Sequence, residues 1–294
     1  MLLRPRLTLD RMAIEEAGSN PEKLAEALHR QLNHSTGKVP IEEIATALDI
    51  AEIRHEKLES FEGALLTTPE RDVGSILVNS RSSLQRRRFT VAHELGHYLN
   101  PWHVPNSESG FQCSKKEMGS LLFKPGFSRH EVQELEANKF AIGILAPKNR
   151  IDALSNDDPS IADVLRIASE LDLSKEAAAR RYVELHPAKV AAAFTKDGVV
   201  RYPTESKSCP RLSLPTGTGL LAQPGGQPGH ISHEETEIQL PFFNGQRRSK
   251  KALVETVYQE SGFAISLLTF EDGSQDEDDD EPDVEDSFDH FTRF

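Results

Sequence analysis

Cysteine is nearly absent from this chain: two residues in 294, Cys113 and Cys209, far apart in sequence. Two distant cysteines make no disulfide framework and suit a reducing compartment. Neither has sequence neighbours that support a redox or metal role. Long apolar runs are lacking too. No stretch approaches the roughly 20 residues that a membrane span needs, and the opening MLLRPRLTLDRM is too short and too polar for a secretory signal. A soluble, cytoplasmic protein with no membrane partner is expected. Hydrophobic residues make up only 37% of the chain and aromatics 6%, low for a globule compact throughout, so part of the chain is expected to be loose. Basic residues are missing from the end of the chain: twelve carboxylates fall between Glu271 and Asp289 without a lysine or arginine. The net charge is −13, so the remaining body sits near −1. Such a body offers no phosphate footprint, and direct nucleic-acid binding is not expected. The tail, 271–294, reads as a solvated disordered segment; Phe288, Phe291 and Phe294 keep open a second reading as an interaction tail.

What the chain does contain is Arg88-Phe-Thr-Val-Ala-His93-Glu94-Leu-Gly-His97-Tyr-Leu99, with H-E-x-x-H inside it. On a helix, residues four apart lie one turn apart on one face, so His93 and His97 can aim two imidazoles at one zinc ion. Glu94 is turned about 100° away and suits the general base that takes a proton from a zinc-held water. Ser82 or Ser83 can cap this helix, and Leu84, Phe89, Ala92, Leu95, Gly96 and Leu99 give it an apolar face for burial. A surface helix with two solvated histidines would not be so apolar. Gly96 disfavours a helix by about 1 kcal/mol relative to Ala, so something is expected to approach the backbone closely there.

Catalytic zinc usually has three protein ligands and one open position. His103 is one candidate third ligand, since H-E-x-x-H-x-x-N-x-x-H approaches the metzincin pattern with Asn100 where a glycine belongs. A carboxylate on the next helix, 129–145, is the other. On a helical wheel Glu134 falls in the middle of the apolar face with Ala137, Asn138, Ala141 and Leu145, while Glu136 falls on the polar side beside Lys139 and Gly143. A carboxylate in an apolar face calls for a cation or a metal; Glu136 reads as solvated, paired at most with Lys139.

Taken together, R-R-F-T-x-A-H-E-L-G-H-Y-L (Arg87 to Leu99) and E-x-E-A-N-x-F-A-x-x-x-L-x-P (Glu134 to Pro147) resemble the ImmA/IrrE family of metallopeptidases. The resemblance implies a zincin-like core, zinc as cofactor, His93, His97 and Glu134 as ligands and Glu94 as base. It also implies a protein substrate such as a helix-turn-helix transcription repressor, cleaved in a stress or mobile-element response. His103 then becomes a neighbour on the rim of the substrate cleft. The only Met downstream, Met118, sits in a polar run that makes a poor Met-turn for the metzincin alternative. Tyr98, His103 or the loop after them are candidates for oxyanion stabilisation.

An α+β fold is expected. Residues 1–187 form the peptidase domain, mostly helical with a small antiparallel sheet; 188–270 form a small β-rich module with a Pro/Gly-rich loop at 203–230. Helices are expected at 21–32 and 41–48 around a turn at Thr36-Gly37, then strands at 50–58, 61–67 and 74–79. Asn100–Ser128 reads as a long loop whose Trp102, Phe111, Phe123 and Phe127 either pin it down or line the cleft. Helices at 148–154, 161–171 and 174–185 follow, the last two as a core-covering pair rather than a DNA reader. Two hairpins, 190–202 and 252–270, close the series. A reading of another class, a regulatory binding protein that keeps the zinc fold without proteolysis, is opposed by the intact Glu94.

Overall fold

The computed structural model of the chain describes residues 7–32, 37–105, 110–114, 126–209, 212, 225–241 and 247–270. Thr36, Met118, Phe123, the tail with its three phenylalanines, and 213–224 of the expected loop lie outside the described residues.

Local signals place most of the elements. A short helix α1 (Arg11–Glu15), which had no counterpart in the sequence reading, is capped by Asp10. In α2 (Pro21–Gln31) Pro21 takes the first turn and Asn20 accepts from the Glu22 and Lys23 N–H groups. Then come α3 (Ile41–Ala47), β1 (Ile50–Glu56), β2 (Gly63–Thr67) and β3 (Gly74–Asn79). The motif helix α4 (Leu84–Leu99) starts at Ser83, whose hydroxyl accepts from Arg86 N–H. Leu84 belongs to its first turn and is 61% exposed, so it does not join the apolar face as expected. A strand β4 (Phe111–Cys113) rises out of the segment expected as loop. The second motif helix α5 (Arg129–Leu145) opens with a reciprocal Ser128–Glu131 capping box. It is followed by α6 (Lys148–Leu154), α7 (Ile161–Glu170) and α8 (Lys175–Leu185).

The first sheet has the order β1-β3-β2-β4. It is mixed, not antiparallel throughout as expected: β1 runs parallel to β3 from Ile50↔Gly74 to Glu56↔Asn79. The cause is β3, which pairs with β2 as a hairpin and then inserts between β2 and β1. The hairpin turn carries Arg71 at φ 56°. Its guanidinium donates to the carbonyls of His97 (2.9 Å), Tyr98 (3.2 Å), Asn100 and His103, a cation on the bare carbonyl end of α4.

Helix α5 packs against α4 on one side and α2 on the other. Gly143, expected beside Lys139 on a polar side, instead faces α2: a Cβ there would lie 3.1 Å from the Ala25 methyl. At Gly96 a Cβ would lie 3.0 Å from Phe140 Cδ1 and 3.3 Å from the Ala137 Cα. The close approach expected at this glycine is thus the backbone of α5.

The second sheet, β5 (Val190–Lys196), β6 (Val199–Glu205), β7 (Ile231–Pro241), β8 (Arg247–Tyr258) and β9 (Phe263–Thr269), has the order β6-β5-β9-β8-β7. The two expected hairpins join through β5–β9 pairing. Strand β6 extends into the expected loop and carries Pro203, which an edge strand tolerates. Strand β7, unforeseen, is the opposite edge, and its run of His, Glu and Thr hides its pattern. One face of the sheet (Val190, Ala192, Phe194, Val257, Ile265, Leu267) belongs to the same buried cluster as α2–α8 and the first sheet; the other has its own cluster around Ala191, Val254 and Leu268. Helices α7 and α8 lie between. Arg181 donates to the Ala146 carbonyl at 3.0 Å and Arg180 lies over the Tyr202 ring, so both arginines are engaged within the fold. Among the described residues no helix is long and apolar enough to cross a membrane.

Candidate metal centre

Helix α4 places His93 and His97 one turn apart, both fully buried, with their Nε2 atoms 3.1 Å from each other. Glu134, in the second turn of α5, brings Oε2 to 3.3 Å from His93 Nε2 and Oε1 to 3.3 Å from His97 Nε2. The wheel position that set Glu134 apart from Glu136 therefore corresponds to a real convergence. A fourth group was not foreseen. Cys113, fully buried at the end of β4, holds Sγ 3.7 Å from His97 Nε2 and 3.6 Å from Glu134 Oε1. The potential ligand atoms of His93, His97, Cys113 and Glu134 all lie within 4.8 Å of one another.

Outer partners fix which nitrogen of each imidazole is bare. His93 Nδ1 is 2.9 Å from the Asn138 Oδ1. An amide oxygen only accepts, so Nδ1 carries the proton and Nε2 presents a lone pair inward. His103 Nε2 is 2.9 Å from a Glu136 carboxylate oxygen and Nδ1 is 2.9 Å from His97 Nδ1. Donation to the carboxylate leaves His103 Nδ1 as acceptor; His97 Nδ1 donates to it, and His97 Nε2 too is bare. Phe111 stacks on the His97 ring at 4.7 Å between centroids. Two lone pairs and a carboxylate aimed at one another, closed off from solvent, repel unless a cation lies among them. The Oε2 atom of Glu134 has no hydrogen-bond partner. The residues present therefore fit a metal ion.

Electrostatics keeps each group in its ligand form. Burial pushes the His97 imidazole down to about 3, against the pull of Glu134, so the ring is neutral. Burial favours the neutral form of Glu134 as well, but its closeness to the His93 and His97 imidazoles outweighs it and holds the carboxyl well below its usual range. Glu94 is fully buried and neither oxygen has a partner in hydrogen-bonding geometry. Burial and the neighbouring Glu134 charge raise it well above the ordinary carboxylate range, offset weakly by the Cys113 thiol.

Three expectations need correction. Tyr98 is not at the cleft: one residue beyond His97 it points to the other side of α4, where its hydroxyl donates to the Arg71 carbonyl at 2.8 Å and accepts from Arg11 at 3.0 Å. His103 is not an oxyanion donor, because both ring nitrogens are taken; it lines a cavity of about 380 Å³ with Trp102, Arg129, Gln133 and Glu136. Glu136, a third exposed, is not paired with Lys139 but is the carboxylate that orients His103, and it also accepts from Asn100 at 3.4 Å.

Residues 49–182 match the family model described as the IrrE N-terminal-like domain, Peptidase_M78. Residues 49–182 thus carry an ImmA/IrrE-type metallopeptidase domain. The matched part spans β1 to α8, somewhat under half of the chain, and contains the whole cluster. A comparison with curated proteins gives no match.

Proposed function

We propose that the chain is a zinc-dependent endopeptidase with a zincin-like core, in which His93, His97 and Glu134 hold the metal and Glu94 is the general base. One observation carries this reading: two imidazoles locked with bare Nε2 atoms inward meet a carboxylate, with Glu94 buried and unpartnered beside them. Zinc, when bound, supplies a Lewis acid for the scissile carbonyl and makes an attacking water acidic. Asn138 orients His93, and the His103–Glu136 pair orients His97. Glu94 takes the proton of the attacking water on a carboxylate oxygen and returns it to the leaving amine. The family resemblance favours a protein substrate, such as a helix-turn-helix transcription repressor cut in a stress or mobile-element response, and a cytoplasmic setting. On this reading residues 1–187 are the peptidase domain, and 188–270 a β-rich module seated on α7 and α8.

The test is zinc content and peptidase activity side by side. One zinc per chain is expected, lost in His93→Ala and Glu134→Ala, retained in Glu136→Ala and retained, though more weakly held, in His103→Ala. Glu94→Gln is expected to keep zinc and lose hydrolysis. Full biological function in Glu94→Gln would replace the peptidase reading with that of a binding protein; zinc lost in His103→Ala but kept in Glu134→Ala would overturn the ligand set.

A further inference from the structure

The proposed set of three protein ligands leaves a tetrahedral metal one position short, and Cys113 stands at that position. Resting on that reading of the centre, we propose that Cys113 Sγ is a fourth metal ligand and that strand β4 thereby closes the site. The face formed by His97, Glu134 and Cys113 has tetrahedral edges. Ligand bonds of about 2.0–2.1 Å to nitrogen and oxygen and about 2.3 Å to sulfur give edges of about 3.3 Å between N and O ligands and about 3.6 Å between S and either. The cluster has 3.3 Å from His97 Nε2 to Glu134 Oε1 and from His93 Nε2 to the other carboxylate oxygen, and 3.7 and 3.6 Å from Sγ to His97 Nε2 and Glu134 Oε1, within a set whose atoms all lie inside 4.8 Å. Four such residues converging away from solvent are the composition of a closed site rather than an open one.

Two independent features agree. Glu94 is fully buried beside Glu134 and Cys113, so the thiol stands between the base and the open side of the site. The backbone also builds the placement of Cys113. Gly110, at φ 114°, packs so tightly on Leu65 that a Cβ would collide with its carbonyl oxygen. From there β4 pairs with β2, Cys113 opposite Gly63 and Phe111 opposite Leu65, and the Cys113 carbonyl accepts from Glu62 N–H at 2.9 Å. The strand that delivers the sulfur is also the sheet edge beside the centre, where an extended peptide would add by main-chain hydrogen bonds. Hydrolysis, which needs an open position on the metal, therefore requires Cys113 to withdraw.

Cobalt(II) replacement tests this in the full chain. Thiolate bound to cobalt gives an intense near-ultraviolet charge-transfer band that imidazole and carboxylate ligands do not. Wild type and Cys209→Ala are expected to bind one cobalt per chain and show the band; Cys113→Ala is expected to bind cobalt without it. Gly110→Ala, which dislodges β4, is expected to weaken the band. With only two cysteines in the chain, a band in Cys209→Ala assigns the sulfur even if Cys113→Ala does not fold. Stoichiometric cobalt with no band in wild type, or a band that survives in Cys113→Ala, overturns the fourth ligand and leaves the metal centre standing. No bound cobalt in any form overturns both.

Discussion

Gly96→Ala separates a packing glycine from a merely tolerated one, because the two give opposite signs. In an exposed helix the substitution stabilises by about 1 kcal/mol through helix propensity. Here the new methyl would sit 3.0 Å from Phe140 Cδ1 and 3.3 Å from both Phe140 Cβ and Ala137 Cα, inside the roughly 3.5–4.0 Å at which carbon atoms pack. Phe140 is 1% exposed and has no free space to swing into; Ala137 Cα is backbone, so relief requires α5 to move off α4. Overpacking of this kind costs about 1–3 kcal/mol, which exceeds the propensity gain over most of that range. The variant should unfold earlier in urea, with a net loss of up to about 2 kcal/mol, or about 2–4 °C in Tm per kcal/mol. Glu134 lies one turn before Ala137 on the same helix, so moving α5 also draws its carboxylate away from His93 and His97. Zinc affinity, measured by chelator competition, should fall together with stability. A Gly96→Ala protein more stable than wild type would refute the idea that α4–α5 contact sets the geometry of the centre.

The outer partners should act on the metal rather than on the fold: Asn138→Ala and His103→Ala are each expected to weaken zinc binding about 10–100-fold, and chelator competition that finds wild-type affinity would remove their orienting role. Arg71→Ala should destabilise by about 1–3 kcal/mol, since it leaves carbonyls at the end of α4 without their donor; unchanged urea unfolding would show that water replaces it fully. His29, whose Nε2 donates to the Ile144 carbonyl at 2.9 Å, is held below the ordinary imidazole value, chiefly by burial. Below a pH of about 6.5 the unfolded chain therefore binds a proton that the folded chain refuses, and stability falls as pH drops. His29→Gln, which keeps a donor, should flatten that decline between pH 7 and 5, and parallel curves for the two proteins would refute it.

Much of the centre was legible because helices carry their own ruler. A spacing of four fixes His93 and His97 on one face of α4, and angular position separates Glu134 from Glu136 on α5 before any contact is known. Gly96 was legible as an anomaly of propensity, and its cause, the α5 backbone, follows from the close fit of the two helices. Strands carry less. The parallel β1–β3 pairing could not be read because it depends on where β3 inserts, and β7 escaped because an edge strand need not alternate apolar residues. Glu136 and Lys139 looked like a surface pair because the wheel records the face of one helix and not the His103 that another segment brings to it.

Cys113 was the largest omission, and its reason is physical. A metal centre collects side chains by position in space, and two routes bring them there. His93, His97 and Glu134 arrive by helical periodicity, which a sequence displays. Cys113 arrives by main-chain pairing of a three-residue strand, set by Gly110 against the Leu65 carbonyl and by hydrogen bonds to β2; nothing in the identity of neighbouring side chains records it. The one available signal was Phe-Gln-Cys itself: a glycine, then apolar, polar and apolar residues in alternation, with Phe111 and Cys113 buried and Gln112 exposed. Three residues are too few for periodicity to separate strand from loop. Arg71 follows the same logic, since its guanidinium reaches the end of α4 only because the β2–β3 turn folds back on that helix. Groups delivered by turns and sheet edges are held by few bonds and can be withdrawn without unfolding the helices. On the proposed ligand set, the helix-borne groups supply permanence at this centre, and the strand-borne cysteine is the group best placed to come and go.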